Sequence, residues 1–299
     1  MTIDFKRIEE NNSINPKILS IKITNKCNLN CPYCYENAGI ELENEINFED
    51  IKSMIDIIKP VNSIDLSGGE CFTRYDLVVQ AKDYAFTKIN RFRIATNGTI
   101  PININDFYPV PKGKSLSFSV SIDGFEEDHD KIRGKGTFQK TLNFCRELIY
   151  YNFPVIISSV VPEYYYEKEG KKLKEFHNFI MNFGAKLHLN AAPSTLGRGI
   201  NYIYDYSFKT KVRKINEQYN IMDSTCWNCY SGPPEFFQPP FNRIAVDSQG
   251  FVRAHCHYLN TPLFHYSMFT NEKYQKEMQQ IYFKNKNFGF QKGILNLQI

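Results

Sequence analysis

Short apolar runs alternate with longer amphipathic stretches over the first two-thirds of the chain. The apolar runs predict six strands, at 18–24, 63–67, 92–96, 116–122, 154–161 and 186–190. The amphipathic stretches repeat apolar residues every three or four positions and predict helices over 48–59, 76–89, 137–151 and 168–183. This alternation predicts an α/β fold on a parallel sheet. Six units do not close an eight-stranded barrel, so we expect a partial (β/α)6 TIM-like barrel with ligands at the carboxyl ends of its strands.

The pattern changes after Asn190, where a loop and a mixed polar stretch follow. Residues 242–255 then predict a β-hairpin that turns at 248–250, and residues 271–283 predict a helix. We therefore expect a small C-terminal domain built from a hairpin and a helix. The predicted division is an N-terminal extension at 1–17, the partial barrel at 18–195 and the C-terminal domain at 196–299.

Composition narrows the class of protein. Of the 299 residues, 42% are apolar and 23% charged, as in ordinary soluble domains, and the net charge of +4 is scattered along the chain. No block of like charge predicts a nucleic-acid partner, and no run of 18 apolar residues predicts a membrane span. The N-terminal stretch is polar and lacks a signal-peptide core, so we expect a cytoplasmic protein whose thiols stay reduced.

Three of the eight cysteines lie close together in the run CNLNCPYC, at Cys27, Cys31 and Cys34. The run directly follows the first predicted strand, so it lies at the predicted barrel mouth. Three thiolates can bind three irons of a cubane cluster and leave the fourth iron without a protein ligand. Zinc is the alternative, but a structural zinc site needs four ligands, and no histidine or further cysteine lies close by in the sequence.

These residues resemble the signature of radical S-adenosylmethionine enzymes. The resemblance continues through DLSGGE (65–70), IATNGT (94–99) and SVSIDGFEEDHDKIRGKGTF (119–138), which are similar to strand ends of the SPASM/twitch-containing, peptide- and protein-modifying branch. It covers roughly residues 18–260. The resemblance implies a [4Fe–4S] cluster on Cys27, Cys31 and Cys34, with S-adenosylmethionine on its open iron.

The resemblance also implies which residues bind S-adenosylmethionine. Tyr33 is expected near the adenine, and the backbone of the GGE segment near the methionine amino group. Ser121 and Arg133 are expected at the carboxylate, for which a guanidinium is well suited. An ion pair of Arg133 with Asp128 or Asp130 and a solvent-facing Ser121 remain the structural alternatives. The complete predicted set is Tyr33, Gly68, Gly69, Glu70, Asn97, Ser121 and Arg133.

A second cysteine group, Cys226, Cys229 and Cys256, follows the predicted barrel. By resemblance to twitch domains it implies an auxiliary [4Fe–4S] cluster. The fourth iron of that cluster would be open or bound by His255 or His257. A zinc site formed by the three cysteines and one of these histidines is the alternative.

Cys71 departs from the family pattern, in which the GGE segment is usually followed by proline. A thiol there could return a hydrogen atom to a substrate radical, as a peptide epimerase requires. The alternative is a small buried hydrophobic residue under the loop. His129, in the SIDGFEEDHD loop, is expected to be structural.

The function implied by the resemblance is radical modification of a ribosomally made peptide or of a protein side chain, by cross-linking, thioether formation, epimerisation or oxidation. A 5′-deoxyadenosyl radical, made with an electron from a flavodoxin- or ferredoxin-type donor, would abstract the hydrogen atom. Only 17 residues precede the first predicted strand, so we expect leader recognition by a separate leader-peptide-binding protein, or none.

Two other functions stay open. A small-molecule dehydrogenase or cyclase acting on a phosphorylated substrate is favoured by basic residues after the barrel. These are Arg198, Lys209, Lys211, Arg213 and Lys214. A non-catalytic iron or zinc scaffold, or a redox sensor, is the alternative from another class, although the intact cysteine and GGE motifs count against it.

Overall fold

The computed structural model describes residues 18–58, 61–189, 198, 206–223, 243–253, 262–268 and 273. The predicted helix at 271–283, apart from Lys273, and the second cysteine group lie outside the described residues. Among the helices of this described part, none is both long and apolar enough to span a lipid bilayer.

All six predicted strands form, with ends that differ from the prediction by at most two residues. They pair in parallel and in chain order to make one continuous sheet. This confirms the predicted parallel α/β fold. The strands are β1 (Ile18–Lys22), β2 (Ser63–Ser67), β3 (Arg91–Thr96), β4 (Ser115–Ser121), β5 (Val155–Ser159) and β6 (Lys186–Leu189).

The strand order places the helices on one face of the sheet. Parallel crossovers are almost always right-handed, and repeated steps in one direction put every crossover helix on the same side. On that side the strand residues are apolar and fully buried, among them Leu19, Ile94 and Phe118. Each such side chain contributes roughly 1.5–3 kcal/mol by leaving water. The other face is polar and half-buried, as at Ser119 and His188, which is the pattern expected of a barrel interior that opens at its rim.

Six α-helices are described. Four match the predicted helices: α1 (Phe48–Ile57), α2 (Tyr75–Lys88), α4 (Thr137–Tyr150) and α5 (Lys171–Phe183). Two were not predicted, α3 (Glu126–Arg133) and α6 (Tyr206–Gln218). In α3 almost every side chain is polar and His129 alone is buried, so the sequence shows no apolar period. In α6 the buried Val212 and Ile215 do have helical spacing, but charged residues surround them and make the stretch mixed and polar in sequence.

Four further strands extend the sheet at its two ends. They are β7 (Met222–Asp223), β8 (Arg243–Val246), β9 (Phe251–Arg253) and β10 (Pro262–His265). Strand β7 pairs in parallel with β6, and β8 pairs in parallel with β1, so the sheet order is β10-β9-β8-β1-β2-β3-β4-β5-β6-β7. The sheet therefore continues beyond the predicted boundary at 195. The three predicted domains themselves stay predictions.

The predicted hairpin at 242–255 is formed by β8 and β9. Its turn is closed by the Asp247 carboxylate, which accepts the backbone N–H groups of Gln249 (3.0 Å) and Phe251 (2.9 Å). Gly250 has a φ of +83°, a conformation that favours glycine. Because β8 lies beside β1, the hairpin is part of the main sheet and its turn lies at the edge where β1 ends.

Candidate functional site

The predicted site residues collect at one edge of the sheet. The carboxyl end of β1 leads into Cys27, β2 into Gly68, and β3 into Asn97. Strand β4 ends at Ser121 and leads into Asp123. Because parallel strands end at the same edge, residues distant in sequence become neighbours there.

The cysteine loop, residues 25–39, is closed at its base by backbone hydrogen bonds. Cys27 N–H donates to Gly39 O, and Gly39 N–H donates to Asn25 O, both at 2.9 Å. Inside the loop, Cys34 N–H donates to Cys31 O at 3.2 Å. The loop is thus a turn of defined shape that presents three thiols from a short segment.

The thiols of the cysteine loop fit a metal-bound role. Cys31 is buried, Cys27 and Cys34 are half-buried, and all three are free of disulfides. Burial raises the pKa of the Cys27 and Cys31 thiols, so at neutral pH each stays protonated until a metal displaces the proton. Leu29 N–H donates to Cys27 Sγ at 3.4 Å, a contact that also stabilises a thiolate.

The donor set of the cysteine loop, three thiols on one short segment, fits the [4Fe–4S] cluster that the sequence predicts. Within the described residues, no group of three or more His, Cys, Asp and Glu side chains is placed to hold a single metal ion.

The GGE segment, residues 68–70, is packed against the start of the cysteine loop. Gly69 N–H donates to Thr24 O and Glu70 N–H donates to Lys26 O, each at 2.8 Å. A Cβ on Gly69 would lie 2.7 Å from Asn25 O and closer still to Lys26 O. The resemblance implies that the backbone of this segment lies near the methionine amino group of the cofactor. In the structure the close approach of Gly69 is to the backbone that leads into Cys27.

The Glu70 side chain is a buried positioning group. Its carboxylate accepts from Thr96 Oγ1 (2.7 Å), Asn97 N–H (2.6 Å) and Phe72 N–H (3.1 Å). These three bonds join the ends of β2 and β3. The carboxylate is therefore occupied by hydrogen bonds within the protein. A contact of this segment with a cofactor would come from its backbone.

Asn97 links β3 to the cysteine loop. Its Nδ2 donates to Asn28 Oδ1 at 2.9 Å, and its Oδ1 accepts from Thr99 N–H at 2.9 Å. Asn28 in turn donates to Thr99 Oγ1 at 2.8 Å. The predicted cofactor residue Asn97 thus has a loop-holding role that the sequence did not indicate, and Asn28 was missed altogether.

Asp123 joins three parts of the site and was not among the predicted residues. Its carboxylate is fully buried and accepts from Tyr33 Oη, from Arg133 Nε and, at 2.7 Å, from Val160 N–H. The residue lies inside the SIDG run, which was the available signal. Nothing in the sequence pairs it with Tyr33, which is 90 positions away.

Arg133 points from the end of α3 toward the cysteine loop. Its Nη1 lies 4.0 Å from Cys31 Sγ and its Nη2 is 3.3 Å from Tyr33 Oη. Burial opposes its charge, but Asp123 with Tyr33 and Cys31 outweighs burial and holds the pKa of Arg133 well above its ordinary value. The ion pair that forms is with Asp123.

The alternative partners proposed for Arg133 are engaged elsewhere. Asp130 accepts from the backbone N–H groups of Gly136 (2.5 Å) and Phe138 (2.9 Å) at the start of α4. Asp128 accepts from Tyr165 Oη at 2.7 Å and Lys172 Nζ at 3.1 Å. Both carboxylates therefore anchor helices, and Arg133 is left to the cysteine loop.

Tyr33 and Ser121 take different positions at the edge. The Tyr33 hydroxyl is buried against Asp123, and burial raises its pKa well above the ordinary value. Ser121 is half-buried at the last position of β4, in register with Ser158. The predicted contacts of Tyr33 with adenine and of Ser121 with the carboxylate stay predictions.

His129 is structural, as the sequence indicated. It is fully buried, and its Nδ1 accepts Asp123 N–H at 3.2 Å. Burial lowers its pKa to about 4 against the opposing pull of Asp123, so the ring is neutral at pH 7. A neutral ring can accept that N–H, and the bond orients the residue that binds Arg133.

Cys71 lies in the hydrophobic core. Its side chain is fully buried at the start of a 3-10 helix, Cys71–Arg74, and burial raises its pKa well above the ordinary value. This environment counts in favour of the small-hydrophobe interpretation. The hydrogen-donor role stays a prediction.

The auxiliary-cluster residues Cys226, Cys229 and Cys256 lie outside the described residues, as do His255 and His257. Strand β9 ends at Arg253, three positions before Cys256. It runs antiparallel to β8, and therefore away from the edge that carries Cys27.

Comparison with known proteins identifies the family. The sequence matches the Radical SAM superfamily over residues 21–176, more than half of the 299 residues, and the chain belongs to that superfamily. Membership implies a [4Fe–4S] cluster and S-adenosylmethionine, in agreement with the donor set of the cysteine loop.

Two curated relatives are named for different activities. The chain is 25% identical over 266 residues to the sporulation killing factor maturation protein SkfB of Bacillus subtilis, covering 84% of this chain and 62% of SkfB. It is 42% identical over 135 residues to Fe-coproporphyrin III synthase of Methanosarcina barkeri, covering 42% of this chain and 33% of that enzyme. The chain thus spans less than two thirds of the length of either relative.

A solved structure shows the same fold. SuiB of Streptococcus suis, bound to its precursor peptide SuiA, matches with a TM-score of 0.70 at 16% identity, covering 95% of this chain and 70% of SuiB. A second SuiB structure, bound to S-adenosylmethionine, matches with a TM-score of 0.68. At such identity the likeness concerns the fold, and it confirms the predicted partial barrel.

We expect Gly69→Ala to lower the free energy of unfolding by roughly 1–3 kcal/mol, because an added methyl group has no room against the backbone of residues 25–26. Chemical denaturation followed by circular dichroism measures the change. Gly39→Ala, in the same loop, is the matched control because its Cβ would meet nothing within 4 Å. We expect that control to stay within about 0.5 kcal/mol of the wild type. Equal stability of the two variants would contradict the packing described.

Proposed function

We propose that this protein is a radical enzyme that modifies a ribosomally synthesised peptide or a protein side chain, by cross-linking, thioether formation, epimerisation or oxidation. The single observation that carries the proposal is the closed loop of three free thiols, one buried and two half-buried, at the carboxyl edge of the sheet. Membership of the Radical SAM superfamily implies that such a loop binds a [4Fe–4S] cluster that works with S-adenosylmethionine.

The residues that would hold the cofactors follow from the site. Cys27, Cys31 and Cys34 would bind three irons, and the GGE backbone and Arg133 would bind the S-adenosylmethionine held by the fourth iron. When bound, the cluster supplies the electron that cleaves S-adenosylmethionine and yields the 5′-deoxyadenosyl radical. Arg133 would add a positive charge beside Cys31, held there by Asp123.

A peptide substrate is supported by the relatives. SkfB is a maturation protein and SuiB is known in complex with a precursor peptide. We further propose a cytoplasmic protein that uses a flavodoxin- or ferredoxin-type electron donor and a separate leader-peptide-binding protein.

A small-molecule substrate is the second candidate, favoured by the similarity to Fe-coproporphyrin III synthase. Two of the five basic residues that suggested a phosphorylated substrate have partners within the protein. Arg198 binds the cysteine loop, and Arg213 pairs with Glu217 on the same helix at 2.8 Å. This weakens the argument from charge.

We also propose a twitch-like domain at 196–299 in which Cys226, Cys229 and Cys256 bind an auxiliary [4Fe–4S] cluster. The support is the two-residue gap between Cys226 and Cys229 and the place of Cys256 three positions after a hairpin whose strands are formed. A zinc site on the same cysteines is the alternative that metal analysis would reveal.

Cys34→Ala is expected to abolish formation of 5′-deoxyadenosine, because the cluster would lose one of its three protein ligands. Anaerobically reconstituted protein, reduced with dithionite and supplied with S-adenosylmethionine, gives the measurement. Cys145→Ala is the matched control, since Cys145 lies on α4 and its side chain is buried in the hydrophobic core. Cleavage by Cys34→Ala at the wild-type rate would show that the first cluster is wrongly assigned. Metal-loaded wild type that never cleaves the cofactor would support a scaffold or sensor.

For the auxiliary cluster, we expect the wild type to bind about eight irons and Cys256→Ala about half of them, because one of two four-iron clusters is lost. Residual, uncoupled cleavage of S-adenosylmethionine should persist. Iron and zinc analysis of the reconstituted proteins measures this. Unchanged iron in the variant would remove the auxiliary cluster, and stoichiometric zinc in the wild type would favour the zinc site.

A further inference from the structure

Arg198 lies after the last barrel strand in sequence, yet it is bound to the cysteine loop. Its Nε donates to Cys31 O at 2.9 Å, and its Nη1 donates to Ala38 O at 2.9 Å and Asn37 Oδ1 at 3.2 Å. Its own backbone N–H donates to Cys34 O at 3.0 Å. One residue thus joins two cluster cysteines to the far end of their loop.

These contacts fix the shape of the loop across its opening. The carbonyl groups of Cys31 and Cys34 belong to the two residues whose thiols must diverge toward different irons. The planar guanidinium binds Cys31 on one side and residues 37–38 on the other. It therefore sets the distance between the middle of the loop and its C-terminal end. A lysine at this position has the charge but lacks the fork, so it cannot make both contacts in the same geometry.

The charge of Arg198 also reaches the metal site. Two guanidinium groups contact Cys31: Arg133 Nη1 lies 4.0 Å from its Sγ, and Arg198 Nε donates to its carbonyl oxygen at 2.9 Å. Positive charge beside a thiolate ligand stabilises the reduced, more negative state of a cluster. Removing it should make the cluster harder to reduce.

Three further hydrogen bonds connect the later chain to residues 43–50, which follow the cysteine loop. Ile46 N–H donates to Ser248 O at 2.8 Å in the hairpin turn, and Gln249 Nε2 donates to Glu43 O at 3.2 Å. Tyr266 Oη donates to Asp50 Oδ1 at 2.8 Å. The segment that leads out of the cysteine loop is therefore held by the hairpin, while Arg198 holds the loop itself.

We propose that Arg198 is a positioning residue for the cluster, which ties the segment after the barrel to the cysteine loop and keeps Cys31 and Cys34 in ligand geometry. The proposal rests on the proposed function where it concerns the cluster. It also makes a claim about the metal-free loop that does not depend on that function.

The test compares Arg198→Ala, Arg198→Lys and the control Arg213→Ala with the wild type. Arg213 is an exposed arginine on α6 whose partner is Glu217 four positions on. In the metal-free full-length chain, hydrogen–deuterium exchange of residues 25–39 is measured against that of α2 and α4. We expect faster exchange of the loop in both Arg198 variants and unchanged exchange of the two helices. Loop exchange at the wild-type rate in Arg198→Ala would overturn the proposal.

In the reconstituted holoprotein, iron release to a ferrous chelator and the midpoint potential of the cluster are measured. We expect Arg198→Ala to release iron about tenfold faster or more, in the range typical for lost supporting contacts of metal ligands. Its potential should fall, whereas Arg198→Lys should keep the wild-type potential and still lose iron faster. Iron release and potential equal to those of Arg213→Ala would overturn the role at the cluster. A wild type that binds no iron would refute the proposed function alone. Hydrogen–deuterium exchange of the loop in the metal-free chain tests the contacts of Arg198 separately.

Discussion

The Asp123 carboxylate is the interaction on which the site depends. It is fully buried and accepts from Tyr33 in the cysteine loop, from Arg133 at the end of α3 and from Val160 after β5. A buried charge is tolerated only when it is paired and hydrogen-bonded, and losing one partner costs roughly 3–5 kcal/mol. Asp123 therefore fixes the loop, the helix and the sheet edge relative to one another, and it aims Arg133 at Cys31.

Much of the fold can be predicted from the sequence because it follows from short-range patterns. The apolar runs give β1 to β6, and the three- and four-residue spacing gives α1, α2, α4 and α5. Helix α3 is missed for a physical reason. It has acidic residues in its first turn, basic residues in its last turn and one buried histidine, which leave no apolar period in its eight residues.

The residues of the site can be predicted from the sequence, but the hydrogen bonds and ion pairs that connect them cannot. The motifs point to the cysteines, the GGE segment and Arg133, while the roles of Glu70, Asn97 and Asp123 come from contacts between strand ends. Arg198 illustrates the limit. In the sequence it is one of several basic residues after the barrel, and only folding distinguishes it from an exposed residue such as Arg213. Likewise, the hairpin turn can be predicted from its own residues, but the pairing of β8 with β1 cannot.

Iron retention by Asp123→Asn tests the account most directly, because an amide cannot balance the charge of Arg133 or hold both partners as the carboxylate does. Iron per chain after anaerobic reconstitution would be compared with the wild type and with Asp83→Asn, an exposed carboxylate on α2. We predict that Asp123→Asn loses the iron of the first cluster while Asp83→Asn keeps it. Full iron content in Asp123→Asn would contradict the claim that this buried carboxylate holds the cysteine loop in its ligand-binding form.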